Sequence, residues 1–415
     1  MALAYGIDLY LNGDLVDCDD YGNVNIGVGD FGPINAGTPH RATFDIYADW
    51  GSLLSERTIV TIIMTGPDPG TTAPTGVYDS GSAWEYCLFS GTLASRQGNG
   101  PNIHKPTVIS TTWVGDDANI FNQKLSMAAD TAVGHRGLVD NVATDLSIAN
   151  TGVNGFTDNT FLESHQFAQT GSVGAFLQKA GAGAGTWVTC EWDWDGAAAD
   201  FVWRPTYFNE TSGDVDMARQ LLSTQRHMWL LDWRDVGVVF DDYYYRVRVE
   251  GRNSASVDKS GSDVGTQPAE TGNRTVIVDT FIDNDPDCAT AATHLIFRIG
   301  AAAQQKVYNV TGHLDLLRNK LVGEDDSADV YNATEALLPT WEWAYLRPGD
   351  LIQWVAPTGG AIDWPATADA LEAQFMAVIN GDIDEASNFS LVTGATWSWT
   401  PQLGWSCAKS LMRYP

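Results

Sequence analysis

Apolar and polar positions alternate with a period of two through most of the ordered-looking segments of this chain, which predicts strands with one apolar face. The pattern centres on Thr340 to Val355, TWEWAYLRPGDLIQWV. There Trp341, Trp343 and Tyr345 alternate with Glu342 and Ala344, so a strand is expected. Arg347-Pro348-Gly349-Asp350 then predicts a tight turn, because Pro presets a negative φ and Gly supplies a positive one. Leu351, Ile352, Trp354 and Val355 read as the returning strand. Phe375 to Ile383 and Ala395 to Leu403 follow, with Trp397 and Trp399 alternating with Ser398 and Thr400. Four such strands close together predict a small antiparallel barrel or sandwich.

The N-terminal part repeats the theme. Residues 5–16 read as strand, Asn12-Gly13 turn and returning strand, since Asn-Gly favours the type I′ hairpin. In Arg41 to Trp50, Thr43, Asp45 and Tyr47 share one face and Phe44 and Ile46 the other. Thr58 to Met64 is a β-branched run expected to be buried on both faces and stopped by Thr65-Gly66-Pro67. A Gly/Pro/Ser/Thr loop leads to strands over Trp84 to Leu93 and Thr107 to Val114.

The middle is more mixed. Ala128 to Gly185 is rich in small residues and predicts loops with short elements. Thr186 to Trp203 predicts two strands broken at Gly196 to Ala199. Asp214 to Arg226 predicts a helix, with Val215, Ala218, Leu221 and Leu222 on one face packed against a following hairpin that turns at Asp232 to Asp235. Arg252 to Asn273 reads as a linker. Asp287 to Arg298 predicts a second helix, capped by Asp285 with Pro286 at its first position. Lys306 to Leu316 returns to strand alternation. The fold class is therefore mainly β and multi-domain, with small antiparallel β-barrels or sandwiches near both ends and a smaller α+β middle. The expected division is a β-barrel-like domain over 1–127, an irregular α+β domain with helix and hairpin over 128–251, a linker over 252–275, and a strand-helix segment with a second β-barrel-like domain over 276–415.

Charge narrows the classes of function. With 23 Lys and Arg against 52 Asp and Glu, the net charge is −29 over 415 residues. That balance opposes general binding to nucleic acid or anionic membrane, both polyanions. The five cysteines, Cys18, Cys87, Cys190, Cys288 and Cys407, are scattered singly without a CxxC pair, so free thiols are expected rather than a zinc or redox centre. The first twenty residues lack the basic and apolar regions of a signal peptide. No run of 18 apolar residues predicts a membrane span.

Candidate chemistry is sparse. Glu191, Asp193 and Asp195 alternate with Trp192 and Trp194, which would put three carboxylates on one face of a strand and two indoles on the other. Paired carboxylates beside aromatic platforms suit a glycosidase. The same alternation arises from a strand with Trp inward and carboxylates in water, and this solvated face is the expectation. Asp283, Asp285 and Asp287 fail the EF-hand pattern, with Cys288 at the sixth position and His294 at the twelfth, and are expected to cap a helix. Asp17, Asp19 and Gly22 fail it as well, with Val28 at the twelfth position. Gly27, Gly29 and Gly32 spell GxGxxG with Pro33 and no helix behind them, so a turn is expected. The seven histidines form no HxxxH or HxH pair. Neither GxSxG nor the P-loop pattern occurs. No catalytic, cofactor or metal residues are assigned, and the chain is read as a non-enzyme.

Two regions together carry a family resemblance. CLFSGTLASRQ (87–97) with PTVISTTWVGDDANIF (106–121) gives Phe-x-Gly, a polar loop, and a strand ending in Asp. YLRPGDLIQWV (345–355) with AVINGDIDEASNFSLVTGATWSWTPQL (377–403) gives a Gly-Asp turn opening a strand and a Trp-containing strand closing a barrel. In this order they resemble the baseplate hub, or tail-tip hub, proteins of long-tailed bacteriophages of the siphovirus type, with the neighbouring distal tail protein as the nearest alternative. The resemblance implies a virion protein: a homotrimeric ring that closes the tail tube, gates DNA passage and anchors receptor-binding parts. It implies no cofactor. Implied partners are its own copies, distal tail or tail-tube proteins, the tape-measure protein and other baseplate proteins, with DNA passing through but not specifically bound. Assembly in the host bacterial cytoplasm suits the missing signal and disulfide framework. The competing reading is a carbohydrate-active or carbohydrate-binding β-protein using Glu191, Asp193 and Asp195.

Overall fold

The computed structural model describes residues 3–32, 35–47, 50, 53–70, 72–73, 76–98, 108–116, 130–134, 162–165, 172, 174–176, 179, 186–197, 199–209, 219–223, 232–238, 245–253, 255–264, 274–300, 306–315, 341, 343–348, 351–355 and 389–413. The N-terminal hairpin joins β1 (Gly6–Leu11) to β2 (Asp14–Val16). Asn12 and Gly13 both take positive φ, 50° and 88°, as a type I′ turn requires. The next strands are β3 (Tyr21–Gly32), β4 (Asn35–Tyr47), β5 (Ile59–Pro67), β6 (Tyr78–Asp79), β7 (Ala83–Gly98) and β8 (Val108–Gly115). The faces of β4 fall as the alternation requires: Phe44 and Ile46 are buried, Thr43, Asp45 and Tyr47 exposed. β5 continues through Thr65 and Gly66, paired with β7, and ends at Pro67. Gly27, Gly29 and Gly32 lie inside β3 rather than in a turn, and the register with β4 shifts between Gly27 and Gly29. A glycine-rich strand with a bulge explains the motif.

Short pairs follow: β9 (Asp130–Gly134) with β10 (Leu162–His165), and β11 (Thr186–Asp195) with β12 (Asp200–Asn209). The break at Gly196 to Ala199 is the turn of that second hairpin. Where a helix is expected over Asp214 to Arg226, residues Arg219–Ser223 instead form a strand, β13. Its parallel pairing with a segment some 130 residues later overrides the helical spacing. Asp232 to Asp235 is likewise no turn: it opens β14 (Asp232–Val238).

A separate small unit comprises β15 (Arg246–Arg252), β16 (Asp258–Val264), β17 (Thr275–Asp279) and helix α1 (Asp285–Gly300), with strand order β16-β15-β17. Part of the expected linker is therefore the strand β16. Val247, Val249 and Val278 face Cys288, Ala291, Ala292, Leu295 and Ile296 of α1, burying one face of the sheet. Gly261 lets the helix approach, since a Cβ there would meet the carbonyl carbon of Cys288 at 2.5 Å. The helix starts at Asp285, two residues before the expected Asp287. Asn284 caps it, accepting from the Asp287 amide at 2.8 Å. Asp285 turns outward to accept from the Ser260 amide at 2.9 Å and from Lys259 at 3.3 Å, and the Ser260 bond, then Lys259, hold its carboxyl below the usual range.

The chain ends with β18 (Lys306–His313), β19 (Leu351–Val355), β20 (Phe389–Thr400) and β21 (Gly404–Arg413). Among the described residues these strands form no sheet of their own. β20 pairs antiparallel with β3, so strands from both ends enter one 14-stranded sheet running β14-β18-β21-β20-β3-β4-β8-β7-β5-β1-β2, with β6, β13 and β19 branching off this path. Among the described strands this path stays open. One core serves both ends: Leu9, Ile26, Phe44 and Trp113 pack in the same cluster as Trp343, Trp397 and Trp405. Each such buried large side chain contributes about 2 kcal/mol from apolar burial alone. The molecule is mainly β, as the alternation predicts.

Candidate functional site

The organising segment is where the sequence suggests, but its form differs. Trp341 and residues 343–345 are helical, not strand, and Trp341, Trp343, Ala344, Tyr345, Leu346 and Arg347 are all buried. With Ala344 and Leu346 buried alongside Trp343 and Tyr345, residues 343–346 show no exposed face to keep a period of two. A helical turn also keeps more of its hydrogen bonding local, which suits a plug between strands.

Polar tips on these side chains fasten the plug to strands from both ends of the chain. Trp341 Nε1 donates to the Pro67 carbonyl on β5 at 3.0 Å, and Trp343 Nε1 to the Cys407 carbonyl on β21 at 3.0 Å. In return, Trp397 Nε1 on β20 donates to the Ala344 carbonyl at 2.9 Å. Lys409 on β21 is 1% exposed and donates to the Leu346 carbonyl at 2.6 Å and the Ala344 carbonyl at 3.5 Å. Its ammonium also lies 4.0 Å from the centre of the Trp397 ring. A cation at the carbonyl end of a helical turn satisfies groups the turn leaves unpaired and complements their dipole. Trp405 Nε1 and the Ala4 amide complete the tie between termini, bonding the Gly6 carbonyl at 2.7 Å and Asp315 at 2.5 Å.

The plug also holds the β11–β12 hairpin. Asp193 accepts from Arg347 Nη1 at 3.2 Å, while Arg347 Nη2 donates to the Tyr345 hydroxyl. The guanidinium sits over the Tyr345 and Tyr86 rings, 4.4 and 5.3 Å from their centres. Next door, the Trp194 amide donates to the Gly76 carbonyl at 3.1 Å, and its indole packs 4.1 Å from Tyr78. This corrects the solvated-face expectation for Asp193, which is 8% exposed. Asp195 accepts from the Ala197 amide within the hairpin turn, a different partner from that of Asp193, and the Glu191 side chain lies outside the described residues. Arg347, Tyr345 and Lys409 belong to no catalytic or binding motif in the sequence. Lys409 carried a signal, for it falls in register with Trp405, Cys407 and Leu411 on the apolar face of β21.

Other candidates resolve locally. Asp17 accepts from the Asp19 amide at 3.5 Å across a short 3-10 turn. Asn284 bridges Asp283 and Asp287 at 3.0 and 2.7 Å. Among the described residues, no group of three or more His, Cys, Asp or Glu is placed to hold a metal, and no helix is long and apolar enough to cross a membrane. Cys87, Cys288 and Cys407 are buried free thiols and Cys18 an exposed one; burial pushes Cys407 up to about 12 and Cys288, with the nearby aspartates, to about 11.

No family model matches the sequence, and no curated protein matches it either. Solved structures do match over the whole length. One is the tail protein of Neisseria meningitidis MC58, with a TM-score of 0.51 at 10% identity over 99% of this chain and 97% of that one. Another is the 43 kDa tail protein of prophage MuSo2 from Shewanella oneidensis, with a TM-score of 0.50 at 11% identity over 99% and 98%. The chain has a tail-protein fold. At this identity the fold is what is shared.

Proposed function

We propose that the chain is a structural component of a phage-type tail, acting at the tail tip or baseplate as a hub. The observation that carries this reading is fold similarity to two tail proteins across 99% of the chain. In this role its copies form a ring, as a homotrimer, that closes the tail tube, controls the passage of DNA and seats distal tail, tape-measure and receptor-binding proteins. The plug suits a mechanical part, since it ties strands from both ends into one body. The acidic charge suits a conduit that passes DNA without retaining it. The role is non-catalytic, and Asp193, bound to Arg347, serves to hold the hairpin.

Negative-stain images of the purified protein, alone and with tail-tube protein, test this directly. Rings, and antibody labelling at one end of intact tails, are expected. A protein monomeric under both conditions and absent from tails would overturn it. Release of reducing sugar from envelope glycans would overturn the non-catalytic part.

A further inference from the structure

The small β15–β17 unit has a second face that α1 does not cover, and its chemistry is unlike the rest of the molecule. In a chain of net charge −29, this face carries Arg246, Arg248 and Arg252 against Glu250, Asp258 and Asp279, an even balance by register. Arg246 and Arg248 alternate outward on β15, opposite the buried Val247 and Val249. Val264 on β16 lies beside Arg246, and Ile277 on β17 beside Arg248. Val264 is 42% exposed and Ile277 61%. Arg248 shares one edge of its guanidinium with Glu250 at 2.8 Å, in a pair roughly half exposed on both sides. Arginine interleaved with exposed aliphatic side chains is the composition of an interface core, not of a solvated sheet.

The opposite chemistry stands at the far edge of the large sheet. Asp8, Tyr10, Leu15 and Ile59 share the outer face of β1, β2 and β5 by register. Leu15 is 57% exposed and Ile59 47%. Glu85 lies close enough for its charge and that of Asp8 to raise the Tyr10 hydroxyl, after burial. Burial likewise raises the carboxyls of Asp8 and Glu85, with Asp8 adding to the shift of Glu85. Two half-buried carboxylates held in that state gain most from an arriving cation.

We infer that these two faces dock on each other between copies of this chain, Arg246 and Arg248 of one copy meeting Asp8 and Glu85 of the next, with Ile277 and Val264 against Leu15 and Ile59. Such a contact joins two different surfaces, so repetition closes a ring or grows a filament rather than stopping at a two-fold dimer. The inference deepens the hub reading and rests on it only for closure. A second copy is favoured as occupant because the acidic and apolar complement is already present on the chain.

The test pairs single-cysteine variants, Ile277→Cys and Leu15→Cys, in a Cys18→Ser, Cys190→Ser background, which leaves only buried native thiols. A short bifunctional maleimide should cross-link the mixture and leave each variant alone uncross-linked. Arg248→Glu should weaken self-association roughly tenfold or more, and adding Glu85→Arg should restore it. Circular dichroism melts confirm that each variant is folded. Rings that persist in Arg248→Glu without mixed cross-links would overturn the docking while leaving the hub reading intact. A folded wild-type chain that never associates, alone or with tail-tube protein, would overturn both. Mixed cross-links without incorporation into tails would uphold the docking and overturn the hub.

Discussion

Asp193 and Arg347 are 154 residues apart in the chain and meet at 3.2 Å, with side chains 11% and 6% exposed. The pair fixes the β11–β12 hairpin to the plug that holds both ends of the protein. Taking away one partner strands the other charge out of water, which costs about 3–5 kcal/mol. Asp193→Leu and Arg347→Met should each lower stability by that amount in urea unfolding. The double variant should recover much of the loss, because an apolar pair needs no compensation. A double variant as unstable as the sum of the singles would show that the pair contributes through Tyr345 and Tyr86 packing rather than through charge.

The same pair shows where sequence reading stopped. Local signals were sound: Asn12-Gly13 makes its turn, Phe44 and Ile46 point inward, and Pro286 marks a helix start. Errors arose where a distant segment decided the outcome. Glu191, Asp193 and Asp195 alternate like a solvated face, and only the arrival of Arg347 buries the middle one. Leu221 and Leu222 have helical spacing, but β19 offers Arg219–Ser223 a partner strand. Trp341, Trp343 and Tyr345 alternate like a strand, yet burial of Ala344 between them and of Leu346 after them erases the distinction that period two relies on. The pairing of β20 with β3 joins the two ends, and no local pattern in either strand names the other.

Gly76 is where the hairpin is seated. It takes φ of +90°, and a Cβ there would meet the Asp193 carboxylate and, at 3.2 Å, the Tyr345 hydroxyl. Gly76→Ala therefore combines backbone strain with a clash, together about 1–3 kcal/mol. The expected signature is local: faster hydrogen exchange at the Trp194 amide, which donates to the Gly76 carbonyl, with β3 and β20 unchanged. Unaltered exchange at Trp194 would mean the hairpin tip is not held there.

Lys409 is the plug's other fastening. Its ammonium serves two carbonyls and faces the Trp397 ring. Lys409→Met keeps the aliphatic length but leaves those carbonyls short of a donor, at a cost of about 2–4 kcal/mol. Equilibrium unfolding followed by tryptophan fluorescence should show the loss. A change within ~0.5 kcal/mol would place the residue outside the structural core of the plug.

Asp8 gives a pH dependence whose sign depends on assembly. Burial raises its carboxyl above the ordinary 3.8, so the folded chain binds this proton more tightly than the unfolded chain does. Stability from this group is then fullest below the unfolded value and falls as pH rises through the folded one. Above that range the ionised carboxylate is a constant cost. In dilute, unassociated protein Asp8→Asn should therefore raise Tm at pH 7, and the two proteins should converge below about pH 3.8. At concentrations where copies associate, Arg246 and Arg248 of a neighbour would lie against the carboxylate and favour its charged form. The order should then reverse at pH 7, with the wild type melting higher than Asp8→Asn. Melting curves across a concentration series read both regimes, and an Asn variant that is more stable at every concentration would remove Asp8 from the docking surface.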